Sequence, residues 1–484
     1  MPTPVISVAQ MREWEEATWA MGQSEESVMR KAGQAVARAA LRMTLPGAEI
    51  LVLAGKGNNG GDARYAAEYL PDRRVQRVDV ADADSAAKDV SQWPGESNRD
   101  RSSSLIIDGL FGIGLNRPLE SGWLQLVEQM NQSGVPILAI DVPSGLNADT
   151  GEPMGAAVRA DATVTFGAMK SGLIRSTATP FVGRLEVAAE IGLLECPFDS
   201  ELNWTLPDDF SGFPVPRPVE GHKGTFGHLV IIAGSRGFHG AAVLAARGAL
   251  RAMPGLVSVF TTEQAYPAVA AQLQQPMVHS WNPESELPPS ASAILLGPGL
   301  AGRDVTDALI DTARILWLES PLPIIADASA LDWLPLGKTP DGAIRIITPH
   351  PGEAKRMLAR ADVEGATSRS EVLHGISHAW GGCRVVLKGR HTLVGYDRDK
   401  IYLNSSGNSG LAQGGSGDVL AGYLAGSVAQ PRLQDDLDTT IRHAVWEHGH
   451  AADVLAARLK TWEIEDLLRQ LGNSTLTGAE GSPH

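Results

Sequence analysis

The chain has 484 residues, 43% hydrophobic and 20% charged, a make-up that fits two or three globular domains and excludes a disordered chain. A formal charge of −15 with no dense Lys/Arg run argues against nucleic acid as a partner, and no apolar stretch is long enough to span a bilayer. Two distant cysteines, Cys196 and Cys383, build neither a disulfide framework nor a zinc cluster.

The N-terminal stretch MPTPVISVAQMREWEEATW lacks a basic region followed by an apolar run, so no secretory leader is expected and a cytoplasmic location fits. Two helical stretches open the chain. In the second, Val28, Ala32, Val36 and Ala40 recur at four-residue spacing behind a start marked by Ser24, Glu25 and Glu26. Strands are predicted at Glu49–Ala54, Ser104–Asp108, Pro136–Asp141 and Ala162–Phe166, with helical patterns at Asp62–Leu70 and Leu119–Asn131 between them. Residues 73–104 form the least regular part, with a surface helix and loop expected over 82–97. The proline-rich, acidic segment Cys196–Pro218 breaks all periodicity and places a boundary near Phe213, giving domains 1–212 and 213–484. The second half repeats the alternation, with strands at His228–Ala233, Leu256–Phe260, Ala293–Leu296, Pro323–Asp327, Ile344–Thr348 and Arg384–Lys388. A hairpin over Thr392–Leu403, a long helix over Thr439–Arg458 and a frayed tail after Gly472 complete it. Apolar strands alternating with helices imply α/β domains, each a parallel sheet covered on both faces, with ligands at the carboxyl ends of the strands.

In the first half, AGKGNNGGD (Ala54–Asp62) stands between a strand and a helix, where a glycine loop either binds an anion or forms a tight turn. The next two strands end in DGLFGIGLNRP (Asp108–Pro118) and DVPSGLNADTG (Asp141–Gly151). Asn59, Asp108 and Asp141 would converge on one sheet edge, which favours a site. These motifs, with ADATVTFGAMKSGL (Ala160–Leu173), resemble the NAD(P)H-hydrate epimerase family in content and order. The resemblance implies a Rossmann-like three-layer αβα domain that inverts the hydroxylated carbon of hydrated nicotinamide cofactors. It implies that Asn58, Asn59, Gly60, Gly61, Asp62, Gly112, Ile113, Gly114, Leu115, Asn116, Arg117, Pro118 and Asp141 contact the hydrate. It further implies that Asn59, Asp108 and Ser144 hold a potassium ion. Asp108 or Asp141 is expected to assist inversion. The family usually has glycine where this chain has Ala63, whose methyl group would crowd the ligand.

In the second half, HKGTFGHLVIIAGSRGFHG (His222–Gly240) and LLGPGL (Leu295–Leu300) place glycine turns after strands. TPHPGE (Thr348–Glu353) puts His350 at a strand end, as a ligand contact or a helix cap, and KGRHT spans Lys388–Thr392. The densest signal is NSSGNSGLAQGGSGDVL (Asn404–Leu420). Its glycines leave backbone amides open to a phosphate, and Asp418 stands at the start of a helix, able to take a proton from a substrate hydroxyl. The set resembles the ADP-dependent NAD(P)H-hydrate dehydratase family of the ribokinase-like superfamily, a second αβα domain. That implies a nucleotide held by Lys388, Gly389, Arg390, His391, Thr392 and Gly417. It implies a hydrate site lined by Ala241, Gly299, His350 and Asp418, with Asp418 as base. The chain departs from the family at DASALD (Asp327–Asp332), Phe238 and Ser409. Together the halves imply epimerisation of R- and S-hydrates (NADHX and NADPHX), then dehydration of the S form to NAD(P)H, AMP and phosphate. Potassium, Mg2+ and ADP, or ATP in its place, are the implied cofactors and co-substrate, and a homo-oligomer is expected. Two other readings stand beside it: a ribokinase-like small-molecule kinase, which shares the GxGD pattern, and a nucleotide-binding module with a decayed site, which the Ala63 and DASALD departures motivate.

Overall fold

The computed structural model describes residues 2–93 and 102–473, and the chain divides into two compact units, Pro2–Trp204 and Thr205–His484. The division falls ahead of the boundary expected near Phe213. Arg442 Nη2 donates to Asp209 Oδ2 at 2.7 Å, and the fully buried Phe210 ring meets His443 and Trp446, so this proline-rich segment packs as part of the second unit. Among the described residues no helix is long and apolar enough to cross a membrane.

The first unit contains β1 (Thr3–Ile6), β2 (Glu49–Ala54), β3 (Arg74–Asp79), β4 (Ser104–Gly109), β5 (Ile137–Ile140), β6 (Ala162–Phe166), β7 (Met169–Lys170), β8 (Arg184–Ala188) and β9 (Leu202–Trp204). Its main sheet is parallel, in the order β3-β2-β4-β5-β6-β8. β1 pairs in parallel with β7 (Val5 opposite Met169) and antiparallel with β9. Alternate residues of β2 serve opposite cores: Ile50 and Val52 meet the Glu25–Met43 helix, while Leu51 and Leu53 meet the Ala83–Gln92 and Ser121–Gln132 helices. That two-sided burial is why these strands read as continuous apolar runs. From β2 the chain runs outward to β3, then crosses back to β4 on the other side of β2. The carboxyl ends of β2 and β4 therefore flank the topological switch point. The irregular stretch contains two regular elements, β3 and the Ala83–Gln92 helix, while 94–101 lie outside the described residues.

The second unit contains β10 (His228–Ile232), β11 (Leu256–Thr261), β12 (Met277–Ser280), β13 (Ala293–Leu296), β14 (Ile324–Ala326), β15 (Arg345–Ile347), β16 (Arg384–Leu387), β17 (Leu393–Gly395) and β18 (Ile401–Leu403). The order is β12-β11-β10-β13-β14-β15-β16-β17-β18, parallel as far as β16, after which β17 and β18 form the expected hairpin. Its switch point lies between β10 and β13, where the Gly234 amide donates to the Pro298 carbonyl at 2.8 Å. One sheet face (Leu229, Ile231, Val259, Leu295) packs on the helices His239–Arg251, Ser416–Val428 and Leu437–Arg458. The first two of these touch backbone to backbone: a Cβ on Gly422 would stand 1.9 Å from the Ala245 carbonyl oxygen, and one on Gly248 2.5 Å from that of Val419. The tail expected to fray after Gly472 lies, from residue 474 on, outside the described residues.

Candidate active sites in the two units

At the switch point of the first unit lies a cavity of about 620 Å³. Its wall includes Arg12 and Glu15 from the Val8–Ala20 helix, Asn58, Asn59 and Asp62 from the helix after β2, the Gly112–Arg117 segment after β4, Asp141 after β5, and Lys170 of β7. The Asn58–Glu68 helix begins earlier than the pattern suggested, so NNGG forms its first turn and not a loop. Gly60 is required there, because a Cβ would sit 1.9 Å from the Gly55 carbonyl oxygen. Gly57 caps the helix without a side-chain bond, which leaves its first amides open to an anion. Gly60, Gly61 and Pro118 are not part of the wall.

The two aspartates at the strand ends are placed differently. Asp108 is fully buried and also absent from the wall: Oδ1 accepts from the Ser144 hydroxyl at 2.6 Å and Oδ2 from the Ser144 amide at 2.8 Å. Burial pushes its carboxyl up to about 6 despite the Ser144 and Leu110 hydrogen bonds. Asp141 does reach the wall, in the left-handed conformation at φ 60°. Its Oδ1 accepts from Lys170 Nζ at 2.8 Å and Thr165 Oγ1 at 3.0 Å. Lys170 is wholly buried and also donates to the Phe166 carbonyl at 2.7 Å. Sequence reasoning missed both Lys170 and Glu15. The lysine lay inside a recognised motif, and its position directly after a strand was the available signal. Ala63 departs from expectation as well: it is buried against Gly109 of β4, whose Cβ would stand 2.5 Å from its methyl, and it does not line the cavity.

In the second unit Gly415, at φ 96°, turns the chain into the Ser416–Val428 helix, again without a side-chain cap. Asp418 lies in the first turn, and a Cβ on Gly417 would stand 3.4 Å from Lys388 Nζ. That amine donates to Asp327 Oδ1 at 2.8 Å, and Thr348 Oγ1 donates to the same oxygen at 2.7 Å. Asp418 carries no hydrogen bond among the described residues; burial and the Asp327 charge push its carboxyl up to about 6, against the pull of Lys388. Burial works against the Lys388 charge, yet Asp327, Glu353 and Asp418 hold its ammonium above the ordinary lysine range. Gly299 (φ 66°) abuts Ala241, whose Cβ would be 2.8 Å from its own. His350 caps the Pro351–Arg360 helix: Nδ1 accepts from the amides of Gly352 and Glu353, and its own amide donates to Glu353 Oε2 at 2.8 Å. The Gly389–Thr392 turn is tied down by Arg369, whose guanidinium donates to the carbonyls of Leu387, Arg390 and His391. Burial and Arg390 lower the His391 imidazole to about 3, so it is neutral at physiological pH.

Residues 229–472 match the family model described as NAD(P)H-hydrate dehydratase, and residues 25–172 match that of the YjeF-related protein N-terminus. A bifunctional NAD(P)H-hydrate repair enzyme from Gloeobacter violaceus is 36% identical, over 99% of this chain and 98% of that one. One from Coxiella burnetii is 35% identical, over 92% of this chain and 93% of that one. The chain belongs to the bifunctional NAD(P)H-hydrate repair enzyme family. A solved ADP/ATP-dependent NAD(P)H-hydrate dehydratase from Bacillus subtilis, co-crystallised with ATP and Mg2+, is 28% identical, covers 55% of this chain and 95% of that chain, and has a TM-score of 0.48. Against the family's expected sites, the structure gathers Asn58, Asn59, Asp62, Gly112, Ile113, Gly114, Leu115, Asn116, Arg117 and Asp141 on one cavity and keeps Asp108 with Ser144 behind it. In the second unit it brings Asp418 and Gly417 to Lys388, and Ala241 to Gly299.

Proposed function

We propose that the first unit interconverts the R and S hydrates of NADH and NADPH, and that the second dehydrates the S hydrate at the expense of ADP. The observation that carries the second activity is Asp418: a carboxylate with no hydrogen bond among the described residues, at an uncapped helix N-terminus, beside the Lys388–Asp327 pair. It takes the proton of the hydrate's hydroxyl as that oxygen attacks the terminal phosphorus of ADP and AMP leaves. The phosphoester C–O bond then breaks as the ring nitrogen shares its lone pair. Phosphate departs, and loss of a proton from the neighbouring carbon restores the ring double bond. The amides of Gly417 and Asp418, which have no acceptor among the described residues, and the Lys388 ammonium stabilise the charge that builds on the phosphate. Asp327 and Asp418, the two carboxylates beside Lys388, would hold a magnesium ion, whose charge would help neutralise the phosphates.

Asn59, Asp108 and Ser144 fit potassium in the first unit. Among the described residues Asn59 Nδ2 is buried without a partner and the Asp108 carboxylate without a cationic side chain; exchanging the amide's two ends would present an oxygen instead. A bound monovalent cation supplies the charge that lets Asp108 stay ionised.

Recovery of the reduced-nicotinamide absorbance tests the reading. Hydrates of both epimers are incubated with ADP, ATP or neither. Recovery of both epimers with release of free phosphate is expected; a stable phosphoester in place of NAD(P)H would make the second unit a kinase, and binding without turnover a decayed site.

A further inference from the structure

We propose that Glu15, on the N-terminal helix of the first unit, is the acid that lets the hydrate's hydroxyl leave during epimerisation. The inference rests on the epimerase reading above and assigns its chemistry to a residue other than Asp108 or Asp141.

The placement of the cavity's carboxyls decides between them. Asp108 is buried behind the wall with both oxygens on Ser144, so it does not touch a ligand in the cavity. Asp141 faces the cavity, but it is locked in an ion pair with a wholly buried lysine, and a paired carboxylate is a poor proton donor. Asp62 and Glu15 are the remaining carboxyls of the wall, and neither carries a hydrogen bond or ion pair among the described residues. Asp62 is almost sealed, at 7% exposure. Glu15 is only half-buried, so a proton it gives up can be replaced from solvent.

Its backbone is fixed by three anchors on the same helix. Ser7 and Gln10 form a capping box, the Val8 amide donates to Asp149 Oδ1 at 2.8 Å, and Trp14 Nε1 donates to the Leu194 carbonyl at 3.1 Å. The charged groups around Glu15 are Arg12 on its own helix, Glu25 heading the next, Asp62 and Asp141, with Lys170 opposing them; Lys56 and Arg117 complete the charged wall. Burial and the Asp141 charge raise the Glu15 carboxyl to about 7, so it is still protonated where a nearby free carboxyl would not be. Burial, with the Asp141 and Glu15 charges, raises the Asp62 carboxyl well above its ordinary value.

The step balances without an oxidant or reductant. The Glu15 proton passes to the hydroxyl, the C–O bond breaks, water leaves, and the ring nitrogen's lone pair forms the C=N bond of an iminium. Water then adds to the opposite face, the pair returns to nitrogen, and the proton shed by that water goes to solvent, from which Glu15 is reprotonated.

The experiment uses the full chain as wild type, Glu15→Gln and Glu15→Asp. Conversion of R to S hydrate, corrected for the spontaneous rate, is followed between pH 5.5 and 8.5, with dehydration of the S hydrate measured alongside. The wild-type rate is expected to fall as pH rises through about 7. Glu15→Gln should lose about a hundredfold in kcat and lose that pH break, with hydrate KM within about twofold and dehydration unchanged; Glu15→Asp should recover part of the rate. Epimerisation by Glu15→Gln at the wild-type rate, a pH break that persists in it, or a loss confined to KM would each overturn the assignment. A wild type that dehydrates but never epimerises would overturn the reading of the first unit itself.

Discussion

Lys388 Nζ lies 2.8 Å from Asp327 Oδ1, and this pair sets the electrostatics of the second unit's site. The ammonium is held from one side by a buried carboxylate that Thr348 also grips. Asp418 on the other side receives only part of its charge. Burial and the repulsion from Asp327 outweigh that share and bring the Asp418 carboxyl to about 6, within reach of the working pH of a general base.

Dehydration by the full chain should therefore rise as pH climbs through about 6, where Asp418 becomes the proton-accepting form. Asp418→Asn should abolish turnover with nucleotide affinity retained, read by titration of ADP. Stability moves the opposite way. A carboxyl whose folded pKa lies above its unfolded one favours the folded state only while protonated, so ionisation costs stability as pH rises past the ordinary aspartate range. Asp418→Asn should raise the melting temperature at pH 7 to 8 and leave it nearly unchanged below about pH 4. An active Asp418→Asn would remove Asp418 as the base.

Arg369 shapes a loop that it does not belong to. Three carbonyls, those of Leu387, Arg390 and His391, accept from one guanidinium. Lysine carries the charge but cannot fork across three acceptors. Arg369→Lys should raise KM for ADP about tenfold with kcat changed much less, and Arg369→Ala should do worse. Equal losses in kcat would show instead that the residue acts on the transition state.

Helix contact in the second unit leaves no room for a methyl group at Gly422, 1.9 Å from a backbone oxygen that no rotamer change can move. Gly422→Ala should destabilise the unit by roughly 3 kcal/mol or more, since overpacking here shifts a helix and not a side chain. Urea unfolding against wild type measures it; a change below about 0.5 kcal/mol would mean that the two helices separate freely.

How much of this was legible follows from what each element buries. β2, β4 and β5 bury every or nearly every residue, so continuous apolar runs declared them. β3, RVQRVD, is an edge strand with only Val75, Val78 and no other residue turned inward, and its charges hid it. β12, MVHS, is short and half exposed for the same reason. The glycine motifs gave the walls of both sites because close backbone approach demands glycine locally. Glu15 left no such trace, and Lys170 only its place behind a strand inside the Ala160–Leu173 motif. Each is a lone charged residue whose meaning comes from Asp141, far away in the chain, and only folding brings them to one cavity.

Potassium should act on the first unit through Asp108. A buried carboxylate at about 6 is costly to ionise at neutral pH, and a cation at Asn59, Asp108 and Ser144 would offset that cost. Replacing NaCl with KCl at equal ionic strength should raise the first unit's melting temperature, as any ligand of the folded state does. Asp108→Asn should remove the difference. A shift that persists in Asp108→Asn would place the ion elsewhere.

Lys170 and Asp141 form a pair that is worth keeping only as a pair. The lysine is wholly buried and the aspartate nearly so, and each is the other's ion-pair partner at 2.8 Å. Lys170→Met should cost about 3–5 kcal/mol, because it strands the Asp141 charge against the low-dielectric wall. Asp141→Asn should cost a similar amount by stranding the ammonium. The double variant Lys170→Met/Asp141→Asn removes both charges and should recover most of that loss, so a double-mutant cycle by urea unfolding gives a coupling energy of at least about 2 kcal/mol. The recovered stability should not restore epimerisation, since Asp141 also faces the ligand. Additive losses would mean that each side chain finds another partner when the first is removed.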